Sequence, residues 1–107
     1  MATAIFTDMT TKGPQGRQIS VSAEIQKRAF AQWAKKRTEL RYSSLGVHID
    51  AVMENAWGQH PHQFSRAADR IMQKLRKAGF IAWNGRSWSL TDDGEKMRLK
   101  IVHQENS

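Results

Sequence analysis

The chain has 107 residues, of which 39% are hydrophobic and 25% are charged, and this composition is typical of one globular domain. It contains no cysteine and no apolar run near the roughly 20 residues needed to cross a bilayer, which excludes a disulfide-stapled fold and a membrane-spanning protein. Residues 1–9 contain Asp8 and lack an apolar core, so we expect no signal peptide and a cytoplasmic location.

The positive charge is concentrated in one part of the chain. The formal net charge is +7, and residues 65–91 alone contribute +5, because they hold six basic side chains and a single acid. A local excess of this kind attracts polyanions. The alternative is a solvated basic surface without a partner.

Composition divides the chain into three segments. Residues 1–19 are rich in Thr and Gly and contain the breaker cluster Lys12-Gly13-Pro14-Gln15-Gly16, which predicts a flexible N-terminal arm. Residues 20–103 carry helical and strand patterns and are predicted to form one domain. Residues 104–107 are predicted to form a polar tail.

The first predicted helix has Ser22 as its N-cap and ends near Arg37. Its apolar residues recur at helical spacing: Ile25, Ala29, Phe30, Trp33 and Ala34. Residues 39–43 alternate around Leu40 and Tyr42 and predict a brief strand.

Ser43 or Ser44 is predicted to cap the second helix, which ends at Trp57-Gly58. Its apolar face consists of Leu45, Ile49, Val52, Met53 and Ala56. Residues 58–62 then form a turn.

The third predicted helix begins at Gln63 or Ser65 and runs to Ala78, with Gly79 as its C-cap glycine. At about 100° per residue, one side of it is apolar and carries Phe64, Ala68, Ile71 and Leu75. The opposite side carries Arg66, Arg70, Gln73 and Lys77 within about 60°, flanked by Asp69 and Lys74. Arg and Gln can form paired hydrogen bonds with guanine and adenine, so this face is predicted to contact double-stranded DNA. Ser65 would point toward base edges or phosphates from the N-terminus of the helix.

A β-hairpin and a last segment follow the third helix. Asn84-Gly85 predicts a two-residue type I′ turn that pairs Trp83 with Arg86 and Ile81 with Trp88. The last segment alternates at Met97, Leu99 and Ile101, which fits a strand, whereas an N-cap at Thr91 or Asp92 favours a helix.

The order of these elements predicts one core. We expect it to contain Ile25, Trp33, Ile49, Val52, Ile71 and Leu75, packed against Trp88 and Leu90. Trp57 is also expected to be buried, and Trp83 to be partly exposed beside the turn.

Two runs carry a resemblance to a known class of protein: Leu75-Arg76-Lys77-Ala78-Gly79-Phe80-Ile81, and Trp88-Ser89-Leu90-Thr91-Asp92-Asp93-Gly94. With their surroundings, about a third of the chain, they resemble the recognition helix and wing of winged helix-turn-helix proteins such as MarR-like regulators. They are also similar to the N-terminal winged-helix module of Mrr-type restriction proteins. The resemblance implies a mainly α fold with a small β-hairpin and DNA binding. The wing is short and has Arg86 as its cation.

We therefore expect sequence-specific binding of double-stranded DNA by a transcriptional regulator of bacterial, plasmid or phage origin. A homodimer through the first helix or the segment after Gly94 would suit a palindromic operator. The expected contact residues are Ser65, Arg66, Asp69, Arg70, Gln73, Lys74, Lys77 and Arg86. The alternative is a winged-helix interaction module, an inhibitor or accessory subunit, that binds a protein partner.

Other kinds of site are not expected. His60 and His62 flank Pro61, with His48 upstream, but no cysteine or nearby carboxylate completes a metal site. Neither a nucleophile with a base nor a phosphate-cradling glycine loop is present, and Asp92-Asp93 is explained by helix capping. We therefore expect no enzyme activity, no metal and no cofactor.

Overall fold

The computed structural model describes residues 5–12, 16–54 and 63–105. In chain order its elements are β1 (Met9–Lys12), β2 (Gln18–Val21), α1 (Ala23–Trp33), a 3-10 helix (Ala34–Lys36), α2 (Tyr42–Val52), α3 (Ser65–Ala78), β3 (Ile81–Trp83), β4 (Trp88–Leu90) and α4 (Asp92–Glu105). The strands form two antiparallel hairpins, β1–β2 and β3–β4. The fold is therefore mainly helical with small β-hairpins, which confirms this part of the prediction.

The N-terminal segment differs from the flexible arm predicted over 1–19. β1 pairs with β2, and Ile5 and Phe6 are buried in the core. The ring of Phe6 packs against Phe30 with 5.4 Å between centroids. The buried amide of Gln26 donates hydrogen bonds to the carbonyl oxygens of Thr7 (2.7 Å) and Val21 (3.0 Å). These long-range contacts offset the entropy that is lost when the segment becomes ordered. No periodic pattern in the sequence predicts them.

The three predicted core helices pack as a chain of neighbours, with α1 against α2 and α2 against α3. Ser22 caps α1 as predicted, because its hydroxyl accepts a hydrogen bond from the N–H of Ile25 at 3.3 Å. The predicted core is confirmed in its fully buried members, Trp33, Ile49, Ile71 and Leu75. The other four are half-buried and pack against that core: Ile25, Val52, Trp88 and Leu90.

The N-cap predicted for the second helix is wrong. The helix begins at Tyr42, with Arg41 at its N-cap position, so neither Ser43 nor Ser44 is the cap. The Ser44 hydroxyl instead accepts a hydrogen bond from Nε1 of Trp33 at 3.0 Å and donates to the carbonyl of Arg41. Capping by Ser44 is therefore replaced by a tertiary contact to a buried indole.

The brief strand predicted over 39–43 is reduced to one bridge, in which Leu40 pairs with Trp88 of β4. The N–H of Leu40 donates to the carbonyl of Trp88 at 2.9 Å. The predicted end of the second helix at Trp57-Gly58, together with Ala56 of its predicted apolar face, lies outside the described residues.

α3 forms as predicted and positions the candidate site. It runs from Ser65 to Ala78, and Gly79 at its C-cap adopts φ 82°, a left-handed conformation that glycine tolerates without strain. The N–H of Phe80 then donates to the carbonyl of Leu75 and turns the chain into β3. Leu75 itself has no exposed surface.

The β3–β4 hairpin has a different register from the predicted one. Trp83 pairs with Trp88 and Ile81 with Leu90, so the turn contains four residues, 84–87. Gly85 has φ 92°, but Asn84 lies outside the positive region that a type I′ turn needs. The Asn84 side chain accepts hydrogen bonds from the N–H groups of Arg86 (2.9 Å) and Ser87 (2.8 Å) and stabilises the longer turn.

The last segment is helical, in agreement with the cap that favoured a helix. The Thr91 hydroxyl accepts a hydrogen bond from the N–H of Gly94 and donates to the carbonyl of Gly79 at 2.7 Å. α4 continues through Glu105, into the residues expected to form a polar tail, and packs on α1 and β4. Among the described residues, no helix combines the length and apolar character needed to cross a bilayer.

Candidate nucleic-acid interface

The outer face of α3 carries most of the predicted contact residues. Arg66, Gln73 and Lys77 are exposed, as are Asp69 and Arg70. The opposite side of the helix is buried and consists of Ala67, Ala68, Ile71, Met72 and Leu75. The core stripe thus fixes which side chains point outward, as the helical spacing predicted.

One edge of this face is in contact with the N-terminal segment. A terminal nitrogen of Arg70 donates to the carbonyl of Thr10 at 2.9 Å. The ammonium of Lys74, which is half-buried, lies 3.3 Å from the hydroxyl of Thr7. Both predicted DNA-contacting side chains therefore also attach the N-terminal segment to α3, and the hydrogen bond to Thr10 uses one of the five N–H donors of Arg70.

At the centre of the face, Gln73 donates from Nε2 to a carboxylate oxygen of Asp69 at 3.1 Å. This hydrogen bond spans one helical turn and holds the amide in a defined position. Ser65 lies in the first turn and is half-buried. The N-cap residue, Phe64, provides no side-chain cap, so the first N–H groups of α3 are not capped in that way.

The other edge of α3 faces a groove of about 570 Å³. Its walls come from the start of α2, from α3 and from the β3–β4 hairpin, including Tyr42, Trp83 and the predicted contact residue Arg86. Trp83 is 56% exposed, in line with the expectation, and its ring meets Trp88 edge-on with 5.5 Å between centroids. The groove thus places exposed aromatic rings beside arginines.

Two arginines in this groove were missed in the sequence. Arg76 is exposed and lies at about 280° on the helical projection, next to Asp69, so the projection alone could have found it. Arg41 is exposed at the N-cap of α2 and joins the groove through the packing of α2 on α3. No local pattern could have identified Arg41.

The cations of α3 are not neutralised within the described residues. The ion pairs found there link Lys36 with Glu39, and Arg37 and Arg98 with Glu95. The hydrogen bonds from Arg98 and Arg37 lower the pKa of Glu95, against a smaller opposing effect of burial. These pairs belong to the 3-10 helix region and α4, so the field of the α3 face stays positive.

The histidines do not form a recognisable site in the described part of the chain. His48 is half-buried in α2, and burial lowers its pKa. Within residues 5–12, 16–54 and 63–105, no three carboxylate or imidazole side chains are grouped closely enough to hold a metal ion. His60 and His62 lie outside the described residues.

Comparison with known proteins adds no relative to this picture. No protein family, no curated protein and no solved structure matches the chain.

Proposed function

We propose that this chain binds double-stranded DNA through the outer face of α3 and acts as a transcriptional regulator of bacterial, plasmid or phage origin. The observation that carries the proposal is the segregation of α3, whose exposed side holds Arg66, Arg70 and Lys77 while its other side is buried. An exposed helix face in a monomer usually carries acidic and basic side chains in similar numbers. On this face, by contrast, Asp69 is the single acidic side chain among several basic ones.

The arrangement of elements supports a winged helix as the form of this binding. α2 packs on α3, and the β3–β4 hairpin follows directly, in the order of a helix-turn-helix with a wing. An α-helix fits the width of the major groove. Arg66 and Gln73 would then read base edges, while Lys77 and Arg86 would contact phosphates.

A homodimer is part of the proposal, because two copies would read a palindromic operator. The contact would use α1 or the segment after Gly94, where Leu99 on α4 is 51% exposed. Light scattering of the protein alone and with DNA tests this point. A monomer in both measurements contradicts it.

The binding test is a selection of duplexes from a randomised pool, followed by measurement of affinity for the selected and a scrambled sequence. Gln73→Ala should lose about 1–3 kcal/mol of discrimination between the two duplexes. Lys77→Ala should weaken both duplexes equally. If the native chain selects no sequence and binds duplex DNA no better than the Arg66→Glu variant does, the proposal is wrong.

One observation favours the alternative, a winged-helix module with a protein partner. The groove beside α3 presents exposed aromatic rings, Tyr42 and Trp83, next to arginines, and such side chains are enriched in protein interfaces. Under this alternative, DNA binding is weak and without sequence preference, and Trp83→Ala abolishes capture of a protein partner.

A further inference from the structure

The hairpin β1–β2 brings two cations beside α3 that the proposed function does not use. Lys12 is the last residue of β1, and Arg17 directly precedes β2, so both lie at the end of the hairpin where the chain turns. Both side chains are exposed. Neither makes a hydrogen bond or an ion pair with the described residues.

The direction of β1 relative to α3 follows from two contacts. Thr7 meets Lys74, and Thr10 meets Arg70, so the chain runs antiparallel to the helix as it enters β1. From Arg70, four residues toward the N-terminus of α3 cover about 6 Å and reach Arg66. From Thr10, two residues along β1 cover about 6–7 Å and reach Lys12. The turn end of the hairpin therefore lies level with the first turn of α3.

Side-chain alternation in β1 supports the same placement. Thr11 points inward and is 3% exposed, while Thr10 and Lys12, on the other face of the strand, are exposed. The buried side of β1 thus holds the hairpin on the domain. Its outer side presents Lys12 in the direction of solvent.

The two hairpins of the fold flank α3 on opposite sides. Arg70 and Lys74, which contact the N-terminal segment, lie at about 40° and 80° on the helical projection. Asp69 and Arg76, which line the groove shared with β3–β4, lie at about 300° and 280°. A helix in the major groove, about 12 Å wide, has a phosphate backbone on each side.

We propose that hairpin β1–β2 is a second DNA-contacting hairpin, whose Lys12 and Arg17 bind the phosphate backbone on the side of α3 away from β3–β4. This inference rests on the proposed function, since it requires α3 to lie in the major groove. The ligand is the phosphodiester backbone, so the contact adds affinity without base preference. Arg70 is a positioning residue here, because its hydrogen bond to Thr10 holds the hairpin against α3.

The test compares two double variants that remove the same charge. Lys12→Ala with Arg17→Ala removes the proposed contacts. Lys35→Ala with Lys36→Ala is the control, because both lysines are exposed on the 3-10 helix, outside the contacts proposed for DNA and for a dimer. The ion pair of Lys36 with Glu39 is exposed, so its loss should change stability little. Binding of each protein to a 30-base-pair duplex of random sequence is measured between 50 and 200 mM salt, after thermal unfolding has verified the fold.

Two phosphate contacts contribute about −1.8 to the slope of log affinity against log salt. The hairpin variant should therefore show a slope shallower by about 1.8. Between 50 and 200 mM salt, the affinity of the native chain should then decrease by a factor about ten times larger than the affinity of the hairpin variant does. The control pair should keep the native slope.

The outcomes separate the two claims. If the native chain binds DNA and the hairpin variant keeps the slope of the control pair, the second hairpin is refuted and the proposed role of α3 stands. If the native chain does not bind duplex DNA at 50 mM salt, both claims fall.

Discussion

Gly94 is the position where a single methyl group should disturb the junction between α4 and the β3–β4 hairpin. A Cβ atom added there would overlap the carbonyl oxygen of Phe80 and would lie 2.7 Å from Cδ1 of Leu90. That carbonyl also accepts the N–H of Thr91 at 3.0 Å, so it cannot turn away without loss of a backbone hydrogen bond. Gly94→Ala must therefore displace the start of α4.

The magnitude follows from two opposing effects. Overpacking a buried position costs about 1–3 kcal/mol, and a backbone atom in the way favours the upper part of this range. The better helix propensity of Ala returns at most about 1 kcal/mol. A net loss of about 2 kcal/mol, at an m-value of about 1.5 kcal/mol per M, lowers the urea midpoint by about 1.3 M.

Gly46 provides the matched control, since it is also a buried glycine within a helix. A Cβ atom on Gly46 would lie 3.6 Å from the backbone of Phe64, an ordinary van der Waals distance. Gly46→Ala should therefore keep or raise stability, by up to about 1 kcal/mol. Urea unfolding followed by tryptophan fluorescence compares the three proteins. A Gly94→Ala midpoint at or above the native one would refute this reasoning.

Three further substitutions test the fold. Leu75→Ala should lower the free energy of unfolding by about 2–5 kcal/mol, because it opens a cavity at a fully buried site, and a loss below 1 kcal/mol in urea unfolding would contradict that packing. Glu95, whose pKa is lowered by Arg98 and Arg37, should contribute about 1 kcal/mol above its unfolded pKa and lose this as pH falls through its folded pKa. The stability gap between the native chain and Glu95→Gln should thus close as the pH falls from 7 to below the ordinary pKa of a glutamate, and a gap independent of pH would exclude the charge effect. Asn84→Ala should cost about 1 kcal/mol, since it leaves two N–H groups of the β3–β4 turn without their acceptor, and unchanged thermal unfolding would count against the four-residue turn.

The parts of the fold that were predictable are those decided within a few residues. The apolar stripe of α3 and the glycine at position 79 mark the helix and its end, and both are local signals. Ser22 and Thr91 mark helix starts for the same reason. The outward face of α3 could therefore be read from the sequence.

The remaining features depend on residues that are distant in the chain. The pairing of β1 with β2 is held by Phe6 against Phe30 and by the amide of Gln26, and neither contact leaves a periodic pattern. The partners of Arg70 and Lys74 lie some sixty residues away, at Thr10 and Thr7, so neither contact could be predicted from the sequence.

The prediction of the β3–β4 turn was wrong for a different reason. Asn84-Gly85 fits two turn types, and the deciding factor is the Asn84 carboxamide, which binds two backbone N–H groups in the longer turn. The shift in register equals two residues, so the predicted faces of the strands were retained although the pairs were wrong.

The central claim is that the outer face of α3 is the DNA interface, and charge reversal on that face tests it most directly. Arg66→Glu with Lys77→Glu changes two exposed side chains that have no partner among the described residues. Lys35→Glu with Lys36→Glu introduces the same charge change on the exposed surface of the 3-10 helix, outside the contacts proposed for DNA and for a dimer. In a salt titration with a random duplex, the α3 variant should bind more weakly than the native chain, and its slope of log affinity against log salt should be shallower by at least about 1.8. The control should retain the native slope. Equal affinity of the α3 variant and the control would contradict the claim.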